Sequence, residues 1–183
     1  MADISWIQSV LYEPPTVLGR RLRPFSPLHA LILQNIDSPF MFGSTAATFE
    51  DLVVAVHVCG LTWTERNQWL PPAKLLRRWG RKQRHTDFGA VADVMDEYIS
   101  ESWQLPERWT SGKGPSHSKA NGAFHLAVFG MSRLGMTEAR AWDCPVARLI
   151  CYREAFAEQE TGKSDLVSDQ EKRGIEALKK HGS

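Results

Sequence analysis

The amino-acid sequence predicts an all-α fold, a single compact helical domain with short connections. Three observations carry this. Apolar residues recur at helical spacing along most of the chain. Ser, Thr or Asp stands immediately ahead of several of these runs, as N-cap residues do. No coherent set of alternating apolar and polar residues marks out a sheet. Composition agrees, with 43% hydrophobic and 23% charged residues in a 183-residue chain. That is ordinary for a globular protein, and long enough to bury a core without disulfide or metal.

The first 24 residues read as an irregular segment. Pro14 and Pro15 break any helix, and 16–23 suits a short extended stretch. A helical core domain follows over 25–162. Ser26 before Pro27 opens a helix over 27–36, apolar almost all round and so expected to be buried. Thr48, with Glu50 and Asp51 in the first turn, opens the next, which ends at Gly60. Thr62 and Glu65 form a capping-box pair for a short helix that Pro71 and Pro72 break. A basic helix spans 74–82. Asp87 caps the clearest amphipathic element, in which Phe88, Val91, Met95, Tyr98 and Ser102 share one face.

The stretch 110–121, rich in Ser, Gly and Lys, reads as a mobile surface loop. A strongly apolar helix follows over 122–134. Thr137 caps a short helix through Trp142, and Asp143 is expected to cap another, with Pro145 in its first turn, that ends at Gly162. The remaining residues, 163–183, predict a peripheral, mostly charged C-terminal helix anchored by Ile175 and Leu178. The core is expected to contain Leu31, Ile32, Leu52, Val56, Val91, Met95, Phe124, Val128 and Ile150.

Charge and motifs narrow the function. No run of apolar residues is long enough for a transmembrane helix, and the first residues carry an acid where a signal peptide carries a base. Cys59, Cys144 and Cys151 are an odd count, spaced unlike zinc ligands, and read as reduced cytosolic thiols. His29, His57 and His125 sit in apolar helices and read as neutral, hydrogen-bonded core residues rather than as a metal or acid–base site. Residues 157–164 fit a relaxed phosphate-loop pattern, but a helix rather than a strand precedes them. The sequence thus implies no enzyme, metal or cofactor. With Lys plus Arg at 22 and Asp plus Glu at 21, a general polyanion binder is not expected. The exception is a local basic patch at Arg77, Arg81 and Arg84, with Trp69 and Trp79 nearby. It suits weak, salt-sensitive nucleic-acid binding, unless the acids of the next helix neutralise it.

Seven tryptophans are many for this length, and Trp is favoured at binding hot spots. Trp6, Trp79 and Trp109 suit a partner contact and the margin of a core equally well. Trp6, Tyr12, Trp103 and Trp109 flank expected loops and suit a groove for an amphipathic partner helix. Ile175 and Leu178 of the last helix would cover that groove or mediate self-association.

Two blocks, 18–40 (LGRRLRPFSPLH, continuing to Ser38, Pro39 and Phe40) and 135–146 (GMTEARAWDCPV, followed by Tyr152, Arg153 and Glu154), resemble small proteins encoded among the tail genes of long-tailed bacteriophages. The block at 135–146 is similar to the C-terminal helices of tail assembly chaperones, in which a Thr-capped turn precedes a Trp-containing helix and an Asp-x-Pro step. The resemblance implies a non-enzymatic role in the host cytoplasm. It implies binding to the tape-measure protein or to tail-tube subunits, keeping them soluble until the tail polymerises.

Overall fold

The computed structural model describes residues 13–42, 46–83, 85–103 and 121–162. Helices occupy 69% of them, in the all-α architecture expected. The linker-like loop, apart from Asn121, and the C-terminal helix lie outside the described residues, as do Trp6, Tyr12, Arg84, Trp109, Ile175 and Leu178. Among the described residues no helix is long and apolar enough to cross a membrane.

The chain enters through a small hairpin in which β1 (Thr16–Val17) pairs antiparallel with β2 (Arg20–Arg21). Its two-residue loop, Leu18 and Gly19, has φ of 52° and 78°. Positive φ at both loop positions is what a tight hairpin following strand twist requires. A leucine is strained there, and burial of its side chain offsets the strain. Val17 and Leu22 are buried too, so part of the segment read as irregular belongs to the core.

The helices are α1 (Pro27–Asn35), α2 (Pro39–Phe42), α3 (Phe49–Val58), a 3-10 helix (Trp63–Gln68), α4 (Ala73–Gln83), α5 (Phe88–Ser102), α6 (Gly122–Leu134), α7 (Glu138–Asp143) and α8 (Val146–Thr161). Their caps explain their limits. The Thr48 hydroxyl accepts from Asp51 N–H and the Asp87 carboxylate from Ala90 N–H, at 3.2 and 3.3 Å. Gly135 and Gly162 close α6 and α8 with φ of 62° and 64°, the left-handed conformation that lets a helix end. Helix α1 lies at the centre. It packs on α2 and α3, and also on α6 and α7, while α3 in turn carries α4 and α5.

The stretch joining the hairpin to α1 buries Leu22, Phe25 and Ser26, leaves Arg23 and Pro24 exposed, and has no ladder of its own. Arg23 N–H donates to the Cys59 carbonyl at 2.9 Å, and Val146 N–H donates to the Phe25 carbonyl at 2.8 Å. Tyr98 Oη donates to the Arg23 carbonyl at 2.7 Å. The Phe25 ring lies against His29, Tyr98 and Trp103, with centroids 5.8, 5.8 and 6.2 Å away.

Two buried histidines tie this centre to the segment after α3. His29 Nδ1 faces Ser26 N–H at 3.2 Å and its Nε2 faces the Leu61 carbonyl at 3.0 Å. A backbone N–H only donates and a carbonyl only accepts, so the ring is neutral with its proton on Nε2. His57 repeats the arrangement, with Arg20 Nη1 at 3.0 Å from Nδ1 and the Gln68 carbonyl at 2.7 Å from Nε2. Burial lowers His29 to about pKa 4, with the Leu61 carbonyl working the other way and Arg23 and Arg20 adding to the drop. Burial also lowers His57. Arg20 lies across Gly60, where an added Cβ would meet its guanidinium at 2.2 Å, so only glycine leaves that guanidinium in place beside His57.

Leu52, Val56, Met95 and Ile150 are buried as expected, whereas Leu31, Ile32 and Val91 are only half-buried. Leu52 is 0% exposed, and Leu52→Ala should lower stability by roughly 2–5 kcal/mol in denaturant unfolding; a negligible change would misplace the core. A second expectation concerns pH. His29 titrates lower in the folded chain than in the unfolded one, so its contribution is intact above about pH 6.5 and is lost as pH falls towards 4. The loss is on the order of 3 kcal/mol. Nitrogen-15 NMR should find the His29 ring neutral at about pH 5.5, and a charged ring there would contradict the bonding above.

Candidate functional site

Thr137 caps α7 by accepting from Arg140 N–H at 3.4 Å, which starts the turn that carries Trp142 inward. Trp142 is buried and stacks on Trp63, with centroids 5.2 Å apart and planes 3° from parallel. Phe124 meets Trp142 edge-on at 5.3 Å. The Arg66 guanidinium lies 4.3 Å from the centroid of Trp63, a cation–π contact. Asp143 holds the row in register. It does not cap α8, which starts behind Pro145. Its carboxylate instead accepts from Trp63 N–H at 2.7 Å. A residue read as a local cap is a tertiary tie between α7 and the 3-10 helix.

The outer end of this row is open. Phe124 and Val128, one turn apart on α6, are 48% and 45% exposed, although both were expected in the core. Helix α6 buries Ala123, Leu126, Ala127 and Gly130 instead. A Cβ on Gly130 would lie 3.3 Å from Ala141 Cβ and 3.4 Å from Leu149 Cδ2. That stripe of small residues lets α6 approach α1, α7 and α8 closely, and close approach gains more contact than burying two larger side chains on a wider gap. The helix is therefore rotated with Phe124 and Val128 outward.

The apolar surface continues onto α1. Leu31 and Ile32 pack against the cluster of Leu28, Ala127 and Trp142. The same two residues, with Asn35, Ile36 and Trp69, line an open depression of about 240 Å³. Leu70, next to Trp69 in the chain, is 61% exposed. Row and depression thus form one surface of aromatic and aliphatic groups, edged by the cation of Arg66. Such surfaces characterise protein-binding sites.

Of the residues expected to bind a partner, only Trp103 is described. It is half-buried at the end of α5, against Phe25, and lines a separate open cavity of about 550 Å³ with Phe40, Met41 and Ile99. Trp79, weighed as a contact residue, is buried in the core. Arg77 and Arg81 are exposed on α4. Trp63, Trp69, Phe124 and Val128 were missed as surface residues. The signal that reveals Phe124 and Val128 is the spacing Ala123, Ala127, Gly130, which marks a close-packing face on the other side of the same helix.

The reactive side chains are subdued. Cys59 is buried, and burial pushes its thiol well above the ordinary range, which leaves little thiolate. Burial likewise raises Cys151, to about 11, and Cys144. His29 and His57 have both ring nitrogens bonded, as read from sequence, while His125 is exposed. Among the described residues no group of three His, Cys, Asp or Glu side chains is placed to hold a metal ion.

If Asp143 fixes the stacked pair, Asp143→Ala should cost roughly 1–2 kcal/mol by leaving Trp63 N–H unpaired. It should also abolish the exciton couplet that two stacked indoles give in far-ultraviolet circular dichroism. An unchanged couplet would show that ring packing alone holds the pair.

Comparison with protein-family models, curated proteins and solved structures finds no match to this chain.

Proposed function

We propose that the chain is a non-enzymatic, tail assembly chaperone-like protein that binds a tape-measure or tail-tube subunit during phage tail morphogenesis. The client docks on the surface around Phe124, Val128, Leu31 and Trp69. The observation that carries this reading is the exposure of Phe124 and Val128 at the open end of a rigid aromatic row. Rigid aromatics lose little conformational freedom on binding, and so make effective anchors. The resemblance supports the same surface. Its block at 135–146 supplies Trp142 at the centre of the row, together with Thr137 and Asp143, which position it. An apolar helical segment of a client could lay its anchors along Phe124 and Val128 and reach the depression at Leu31 and Ile32.

Co-expression with the tape-measure and tail-tube proteins of the same genome should give a stable complex with one of them in size-exclusion chromatography. Phe124→Asp combined with Val128→Asp should abolish that complex, while the unfolding midpoint changes by no more than about 0.5 kcal/mol per site, as at exposed positions. Failure to capture either protein, or a complex indifferent to both substitutions, would refute the reading.

A further inference from the structure

Helix α4 is divided along its length. Leu75 and Trp79 turn into the core. Lys74, Arg77, Arg78 and Arg81 lie on the opposite side, within an arc of about 100° at helical spacing, and all four are exposed. The sequence leaves room for the acids of α5 to neutralise them. The structure does not pair them so: among the described residues the ion pairs are Arg21 with Glu13, Arg133 with Glu160 and Arg153 with Glu154. The Arg81 Nε–H donates to the Arg77 backbone carbonyl of its own helix at 3.3 Å, which folds the Arg81 side chain back along the helix towards Arg77. Arg77, Gly80, Arg81 and His85 border an open depression of about 560 Å³, and nothing lies within 4 Å of where a Gly80 Cβ would stand. Four like charges on one face repel one another, and a polyanion relieves that repulsion.

From this we infer that the outer face of α4 binds the phosphate backbone of duplex nucleic acid without regard to sequence. Successive turns place cations about 5–6 Å apart along the helix axis, which suits a regular row of phosphates, and the arginine forks match phosphate oxygens. Trp79, the aromatic best placed in sequence to stack on bases, is buried, so the face offers backbone contacts and no stacking platform. Insertion into a lipid surface needs a free apolar side, and Leu75 and Trp79 already occupy that side against the core. This site stands on α4 alone and does not depend on the client-binding reading.

Fluorescence anisotropy of a labelled duplex of roughly 20 base pairs tests it, with salt raised from about 50 to 200 mM. Micromolar binding is expected at the low end, equal for two unrelated sequences. The logarithmic salt slope should be near −3.6, from about 0.9 per phosphate over four contacts. Arg77→Ala with Arg81→Ala should reduce that slope by about 2, while Arg77→Lys with Arg81→Lys should leave it nearly unchanged. Lys74→Ala with Arg78→Ala provides a second neutralised pair if the first does not fold. Absence of binding at low salt, or a slope unmoved by neutralisation, would overturn the inference. Tighter binding of poly-glutamate than of the duplex at equal charge would overturn it in favour of an acidic protein partner.

Discussion

A polypeptide segment that crosses a hydrophobic interior must find partners for its N–H and C=O groups, and without a helix or sheet it must find them elsewhere. The stretch 23–26, which buries Phe25 and Ser26 while Arg23 and Pro24 stay exposed, lies at the edge of such an interior and meets the same demand. Its groups bond to the Cys59 carbonyl after α3, the Tyr98 hydroxyl of α5, the Val146 N–H at the start of α8 and the His29 ring of α1. Each partner belongs to a different part of the chain, so one strand of backbone fixes the relative placement of four elements. Phe25 sits at the middle of this stretch, and its ring is the contact shared by His29, Tyr98 and Trp103. Losing the buried bond from Ser26 N–H to the His29 ring leaves a polar group unsatisfied, which costs more than the bond itself contributes.

The same constraint reaches the aromatic row. His29 holds the Leu61 carbonyl just before the 3-10 helix, and His57 holds the Gln68 carbonyl at its end. Trp63 and Trp69 therefore leave a segment pinned at both ends by neutral imidazoles. Asp143 then fixes Trp63 from the side of α7. A mobile aromatic would lose freedom on binding a partner, and these have little left to lose. The pinning also explains why His29 and His57 bond through both nitrogens: they serve as neutral connectors, and burial keeps protons off them.

Much of the secondary structure was legible because it is encoded locally. Thr48, Asp87 and Thr137 cap helices as read, and Gly162 ends α8 in the left-handed conformation. What escaped was encoded by contact. Asp143 has the sequence context of an N-cap, yet a backbone N–H eighty residues earlier in the chain outcompetes the local role. Phe124 and Val128 are as hydrophobic as any core residue, but the position of α6 is set by how near Ala123, Ala127 and Gly130 let it come to its neighbours. The hairpin at 16–21 gives little signal because its turn uses Leu18 where Asn or Gly is usual. Trp103 at the end of α5 and Trp79 within α4 show that a tryptophan expected at a partner contact can fill the core or its margin instead.

The dependence of the fold on the 23–26 stretch can be measured directly by native-state hydrogen exchange. The Arg23 and Val146 amides should exchange only through global unfolding, with the same free energy that denaturant titration gives for the whole chain. Exchange of either amide through a local opening of much lower free energy, while α1 and α3 stay protected, would contradict the claim that this stretch holds the elements together.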